Sequence, residues 1–304
     1  MKVPPFRKPL VVRMMVAAAK GWSKDNVPRL GASLAYYTLF AVGPILIIVI
    51  AIAGAIFGPE AVRGEIVGQI DQLVGTEGAR AVQDLLESAS KDRSGTLAVI
   101  IGTLTLLLAA TGAFLELQHA LNVIFRVKTD PGKSGLTRLL ITRLRSFGMV
   151  VSIGFVLLVS LAVSAALAAV SGRLAPMGAP VILQIGNVVV SLAVVTLLFA
   201  MIYRLLPDVR LEWREVWTGA FVTALLFTIG KQLIGLYPGR SSVASGYGAA
   251  GSVVVLLLWV YYTAQIVLFG AELTRVYAEH YVGTPPPNNV ARRDPNAHPS
   301  APKT

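Results

Sequence analysis

Six long apolar stretches dominate the sequence, at about residues 31–57, 96–118, 147–171, 181–205, 216–237 and 249–273. A bilayer core about 30 Å thick is crossed by roughly 20 apolar residues of α-helix, and each stretch reaches that length. Apolar residues make up 55% of the chain and charged residues only 14%, whereas about a quarter of the residues of a soluble domain are charged. The pattern therefore predicts an all-α polytopic membrane protein, a bundle of six transmembrane helices.

Lysine and arginine are distributed unevenly between the segments that connect these stretches. Twenty of the 27 lie in residues 1–30, in the loops after the second and fourth stretches counted together with Arg204 at the end of the fourth stretch, or in the tail; six lie in the other three loops, and Lys231 lies inside the fifth stretch. Because lysine and arginine beside transmembrane helices stay in the cytoplasm, both termini are predicted to be cytoplasmic. The net charge of +11 is thereby explained as a topology signal, and no nucleic-acid partner is predicted.

Three segments flank or interrupt the predicted membrane domain, which covers residues 31–275. Within residues 1–30, Val11 to Lys24 form an amphipathic pattern that predicts an interfacial helix, with a merely solvated basic arm as the alternative. Residues 58–94 carry apolar residues at helical spacing and predict a short extracytoplasmic helical hairpin. The tail, residues 276–304, is rich in proline and predicts disorder from about residue 283. We expect the first apolar stretch to remain in the mature protein, since it is too long for the apolar region of a signal peptide.

Two features inside the apolar stretches are candidates for a mechanism. Lys231 is the most deeply placed charge, and charges inside a bilayer are costly enough to be functional candidates by default. Its side chain either lines a cavity or extends along its four-carbon stem to the outer headgroups. Gly43 and Pro44 lie near the middle of the first stretch, where proline removes a backbone hydrogen bond, so a kink that acts in packing or as a hinge is predicted.

Polar residues also gather at the predicted inner ends of the helices. Glu272 and Arg275 are three residues apart, so they can pair on one helix face. Such residues are either helix ends wetted by the interface or the lining of an inward-facing polar vestibule. The candidate polar or transport residues of this group are Glu116, Asn122, Arg204, Gln265, Glu272 and Arg275.

Catalytic and metal-binding signatures are missing from the sequence. Glu116 and His119 have the spacing of one half of a carboxylate-bridged di-iron site, but that site needs the motif twice and two further glutamates. The sequence has no P-loop, Rossmann glycine signature or nucleophilic triad pattern. We therefore expect no metal, no cofactor and no enzymatic activity.

Four parts of the chain contain distinctive short sequence motifs. They are Arg29 to Phe40 continuing to Pro44; Thr111 to Phe114 with Gln118 and Asn122; Tyr203 to Asp208 with Trp213; and Tyr247 to Ser252 with Trp259, Gln265 and Glu272. Together they resemble the YihY/virulence factor BrkB family of bacterial inner-membrane proteins over roughly residues 20–280. The resemblance implies an integral inner-membrane protein of six spans. Some members have been labelled ribonuclease BN, but three scattered histidines and no sizeable cytoplasmic domain argue against that activity here.

Three functions follow from this reading. The first is secondary or passive transport, or flipping, of a lipid or another amphiphilic or anionic envelope compound, with anionic headgroups as partners of the basic inner face. The second is a non-catalytic scaffold that binds an envelope protein through residues 58–94. The third, a membrane-tethered ribonuclease, is disfavoured because the acid–base or metal residues it needs are lacking.

Overall fold

The computed structural model of the protein describes residues 10–58, 63–64, 66–68, 76–90, 111–129, 180–236, 251–289 and 291–295, and most of them are helical. Two three-residue strands accompany the helices. The elements are α1 (Leu10–Lys24), α2 (Val27–Phe57), α3 (Thr76–Ser90), α4 (111–124), β1 (Val127–Thr129), α5 (Pro180–Leu205), α6 (Trp213–Leu236), α7 (Gly251–Tyr281) and β2 (Ala291–Arg293).

Two helical segments within these residues are long and apolar enough to cross a membrane, Val188–Leu205 in α5 and Val253–Tyr281 in α7. The 31 residues of α7 correspond to about 46 Å of helix, which exceeds a bilayer core of about 30 Å. The predicted all-α class therefore agrees with a structure that is mostly helical. The predicted span at 147–171, and residues 96–110 of the second span, lie outside the described residues, so the number of six spans stays a prediction.

A sharp corner joins α1 to α2. Asn26 adopts the left-handed conformation, with φ of 51° and ψ of 42°, which asparagine tolerates better than most residues. The Asp25 amide donates to the Gly21 carbonyl at 2.8 Å and so closes the last turn of α1. The corner folds α1 back against α7, where Ala18 and Gly21 are buried. The helix predicted from Val11 to Lys24 is thus present, and its lysines 20 and 24 are exposed.

The long helix α2 continues without interruption through the predicted hinge at Gly43 and Pro44, and Gly43 is buried. The hinge itself stays a prediction. Near the end of α2, Ile50 packs with α3 and with the first turns of α7. On α3 the buried face is formed by Ala81, Val82 and Leu86, three of the residues whose spacing predicted an amphipathic helix in this segment.

Small residues allow close contacts where α5, α6 and α7 meet. A Cβ atom at Gly219 of α6 would come within 2.8 Å of the Gly270 carbonyl of α7. At the same junction the Tyr203 hydroxyl of α5 lies 2.8 Å from Thr223 Oγ1 and donates to the Val267 carbonyl at 2.7 Å. Glycine contacts of this kind let helix backbones approach closely within a membrane.

Residues 283–289 and 291–295, which follow α7, pack against the rest of the fold, although the sequence predicts disorder from about residue 283. Strand β2 pairs antiparallel with β1, and Val127 lies opposite Arg293. The Arg210 amide also donates to the Pro286 carbonyl at 3.0 Å. Compositional reasoning misses this docking because hydrogen bonds to distant parts of the chain, made by the backbone and by side chains such as that of Asn288, hold the segment in place.

Candidate functional site

A buried ion network lies in the last three turns of α7. The Arg275 guanidinium donates from Nη2 to Glu272 Oε2 at 2.7 Å and from Nη1 to Glu279 Oε2 at 3.0 Å. The side chain of Glu272 is 0% exposed and that of Arg275 is 4% exposed. Spacings of three and four residues place all three side chains on one helix face. The pairing of Glu272 with Arg275 that the spacing predicts is therefore present.

Helix α1 covers this network with its least bulky face. A Cβ atom at Gly21 would lie 2.8 Å from Arg275 Nη2 and 2.8 Å from Glu272 Cδ. One turn later, Asp25 follows the end of α1, and its carboxyl acts electrostatically on the Glu272 carboxyl. We refer to Asp25, Glu272, Arg275 and Glu279 as the carboxylate–arginine cluster; it holds three acids against one base.

Two oxygens of this cluster have unfilled hydrogen-bonding capacity. Asp25 Oδ2 and Glu272 Oε1 are both buried and have no hydrogen-bond donor among the described residues. An ionised carboxylate only accepts hydrogen bonds, so two of them cannot satisfy each other without a proton. Burying a charge without a partner is costly, and this site therefore differs from an ordinary ion pair in which every oxygen is satisfied.

Gln265 extends the polar character of α7 away from the cluster. It precedes Glu272 by seven residues, or about 10 Å of helix rise, and so shares its face. Its Nε2 and Oε1 atoms are both buried and have no hydrogen-bond partner within the part of the chain that the structure describes. The amide lies directly against Gly31 of α2, where a Cβ atom would come within 3.2 Å of Gln265 Cδ. Together with the cluster, it gives the seam between α7 and the α1–α2 corner a line of buried polar atoms.

Asn122, another predicted site residue, belongs to a different arrangement. Its Nδ2 donates to Asp208 Oδ2 at 3.0 Å, and its Oδ1 accepts from the Asp208 amide at 2.7 Å. Asp208 also accepts at Oδ1 from Asn288 Nδ2 at 2.9 Å. This junction connects the end of α4, the loop after α5 and the docked tail. Asn122 thus holds the fold together here, and it does not join the carboxylate–arginine cluster.

The remaining predicted residues are dispersed. The guanidinium carbon of Arg204 lies 4.3 Å from the centre of the Trp213 ring, a cation–π contact. Glu116 on α4 is partly buried and, among the described residues, makes no ion pair with the cluster. Lys231 on α6 is partly buried, and both interpretations of its side chain stay open.

Arg293 of the docked tail is influenced electrostatically by Glu279 of the cluster. Partial burial lowers the pKa of its guanidinium, and the Glu279 carboxylate acts in the opposite sense. Arg293 also donates to the Phe125 carbonyl at 3.4 Å. The tail is therefore coupled electrostatically to the end of α7.

Sequence reasoning missed Gly21, Asp25 and Asp208. A signal for Asp25 is present, because it is the only acidic residue among the first 59 in an otherwise basic region. Asp208 closes the motif from Tyr203, but nothing in the sequence pairs it with Asn122. Within the described ranges no group of three or more His, Cys, Asp or Glu side chains is arranged to hold a metal ion.

Comparison with known proteins places the chain among bacterial membrane proteins. A family model described as virulence factor BrkB matches residues 18–295, which include Gly21, Asp25 and the docked tail. A UPF0761 membrane protein of Ralstonia nicotianae is 29% identical over 254 residues, covering 82% of this chain and 55% of the relative. A second, of Rhodospirillum centenum, is 29% identical over 288 residues, covering 92% and 60%. A third, of Alteromonas mediterranea, is 28% identical over 265 residues and covers 84% of each chain.

The chain spans between 55% and 60% of the length of the first two of these relatives. No solved structure matches it.

Proposed function

Because the chain belongs to the virulence factor BrkB family of bacterial membrane proteins, we propose that it is a transporter or flippase-like protein that is not driven by ATP. Its substrate is a lipid or another anionic, amphiphilic compound of the cell envelope. The observation that carries the proposal is the buried carboxylate–arginine cluster in α7, a helix apolar enough to cross a membrane. Ionisable groups in such helices are costly, and they mark substrate and ion pathways.

The proposal includes the six-span topology with both termini in the cytoplasm. The positions of α1 and α3 at opposite ends of α2 support this topology. Helix α1 packs beside Val27 at the start of α2, whereas α3 packs against Ile50, and these positions are about 35 Å apart along the helix. The lysine-rich α1 and the predicted extracytoplasmic hairpin are thus separated by about one bilayer core.

One face of α6 is suited to contact with lipid. Five large apolar side chains recur every fourth residue, and all are exposed. They are Trp213, Trp217, Phe221, Leu225 and Ile229. Exposed apolar patches of this extent are rare on soluble monomers, and tryptophans are enriched at membrane interfaces. An acyl chain can therefore contact α6 while a charged headgroup remains near the basic ends of the helices.

Anionic headgroups fit the basic side chains at the predicted inner face. Arg13, Lys20 and Lys24 are exposed on α1, and each basic residue near an anionic membrane surface contributes about 1 kcal/mol of attraction. The proposal assigns no catalytic residue, no cofactor and no metal. His119, the histidine of the half-motif, is exposed on α4, away from the cluster on α7.

Flipping is tested with purified protein in liposomes that contain a fluorescent phosphatidylglycerol and, separately, a fluorescent phosphatidylethanolamine. A membrane-impermeant reductant bleaches only the outer leaflet, so transport appears as bleaching beyond about half of the signal. We expect this extra bleaching with wild-type protein and a reduction with Glu272→Gln. The exposed Glu212→Gln is the matched control and should behave as wild type. Bleaching equal to that of protein-free liposomes for both lipids would contradict the proposal.

A scaffold function is the second candidate, and a groove on the hairpin favours it. A cavity of about 260 Å³ lies between residues 63–67 and α3 and is lined on the α3 side by Gln83, Leu86 and Glu87. A photoreactive amino acid at the exposed Gln83 distinguishes the two functions. One dominant protein adduct in cells would favour a scaffold, and lipid adducts would favour transport.

A further inference from the structure

Asp25 and Glu272 are two acidic groups that act on each other where α1 packs against α7. Asp25 directly follows the last residue of α1, and Glu272 lies in α7 with a side chain that is fully buried. Their unsatisfied oxygens, Asp25 Oδ2 and Glu272 Oε1, are both shielded from solvent. Gly21 permits this proximity, since a Cβ atom at that position would lie 2.8 Å from the Glu272 carboxyl carbon.

Arg275 does not neutralise this pair of acids. Its guanidinium is divided between Glu272 Oε2 and Glu279 Oε2. Among the described residues, the charged groups that act on Glu272 are Arg275 on its own helix and Asp25 on α1, while Arg293 of the tail acts on Glu279. The lysines of α1 are exposed. One negative charge of the Asp25–Glu272 pair is therefore left without compensation.

A proton fits this pair of carboxyl groups better than a metal cation does. Calcium takes six to eight oxygen ligands and magnesium about six, but among the described residues the seam offers two unsatisfied carboxylate oxygens at this point. The amide oxygen of Gln265, the next buried oxygen on α7 without a partner among those residues, lies about 10 Å further along the helix. A single proton between Asp25 Oδ2 and Glu272 Oε1 satisfies both atoms and removes one charge.

We propose that Asp25 and Glu272 form a proton-binding site at the seam between α1 and α7, with one proton shared between Asp25 Oδ2 and Glu272 Oε1. Loading the proton holds α1 against α7, and releasing it leaves two carboxylates that repel each other and loosen the seam. The buried Gln265 amide, with a free donor and a free acceptor, is the next polar group along the same helix face. The assignment of this proton as the coupling ion rests on the proposed transport function, whereas the binding site itself does not.

Infrared spectroscopy of the purified full-length protein tests the site without any transport assay. We expect a carbonyl band of a protonated carboxylic acid at neutral pH, where ordinary exposed aspartate and glutamate are ionised. The band should disappear in both Asp25→Asn and Glu272→Gln, because each variant removes one partner. The exposed Glu212→Gln is the matched control and should retain the band.

Isotope labelling keeps the test decisive if either variant fails to fold. In wild-type protein, labelling with ¹³C-glutamate or ¹³C-aspartate must shift the frequency of the band. Raising the pH must abolish the band and release one proton per protein molecule. Absence of such a band at neutral pH, or its persistence in both variants, would overturn the proposal. If the band is present but no lipid transport is detected, the proton-binding site stands and only its role in coupling is refuted.

Discussion

Gly21 of α1 lies directly against Glu272 of α7, so that a Cβ atom at position 21 would stand 2.8 Å from the Glu272 carboxyl carbon. This contact lies in the interface through which the N-terminal helix packs against α7. It allows α1 to cover the buried ion network and brings Asp25 to the same place. The absence of a side chain at one position thus shapes the electrostatics of the candidate site.

The first prediction concerns that contact. Gly21→Leu should separate α1 from α7, because overpacking of this kind costs about 1–3 kcal/mol. The loss should appear although leucine favours helix more than glycine does. Ala19→Leu, on the exposed side of α1, is the matched control. Thermal unfolding in detergent and proteolysis of α1 measure the effect, and equal behaviour of the two variants would contradict it.

The second prediction separates Arg275 from its partner. Arg275→Met leaves Glu272 buried without its counter-charge and should lower the free energy of unfolding by about 3–5 kcal/mol. The double variant Glu272→Leu/Arg275→Met removes both charges and should regain most of that stability. Chemical unfolding of wild type, both single variants and the double variant gives the coupling energy of the pair. If the changes in the free energy of unfolding of the two single variants add up to that of the double variant, the two side chains do not depend on each other.

A third prediction concerns the junction at Asp208. Asn122→Ala removes two buried hydrogen bonds to Asp208, which should cost about 1–3 kcal/mol. The docked tail should then open more often, so that hydrogen exchange at the Arg210 and Asn288 amides accelerates by roughly one to two orders of magnitude. Asn289→Ala changes an exposed contact to Arg210 and should have little effect. Unchanged exchange in Asn122→Ala would show that the junction does not hold the tail.

The fourth prediction addresses the meeting point of α5, α6 and α7. Tyr203→Phe removes a buried hydroxyl that donates to the Val267 carbonyl and lies 2.8 Å from Thr223 Oγ1, a loss of about 0.5–1.5 kcal/mol. Tyr36→Phe, at an exposed position of α2, is the control and should unfold as wild type. Unfolding curves of the two variants in the same detergent provide the comparison. Identical midpoints would indicate that the hydroxyl network contributes nothing.

Local patterns in the sequence predict much of this fold. The apolar runs predict the helices α2, α5, α6 and α7, because a membrane helix satisfies its own backbone hydrogen bonds and needs little more than apolar length. The spacing of Ala81, Val82 and Leu86 predicts the buried face of α3. The pairing of Glu272 with Arg275 also follows from spacing, since helix geometry alone brings the two side chains together.

Contacts between distant parts of the chain are not predictable in this way. Asp25 lies near Glu272 because the chain turns at Asn26 and α1 packs against α7. The spacing of apolar residues in the sequence does not predict that turn. Asn122 and Asp208 are 86 residues apart, so their pairing depends on how the helices pack. The tail looks disordered by composition, yet it docks through backbone hydrogen bonds for which its proline content gives no signal.

The most direct test of the account is lipid flipping by the Glu272→Leu/Arg275→Met double variant in proteoliposomes, measured beside wild type at matched protein content. Because both charges of the pair are gone, this variant should remain folded, and so it separates a functional role of the cluster from a structural one. We predict that wild type moves the fluorescent phospholipid and that the folded double variant does so at a rate at least tenfold lower, a change equivalent to about 1.4 kcal/mol in the barrier. Transport by the double variant at the wild-type rate would contradict the account.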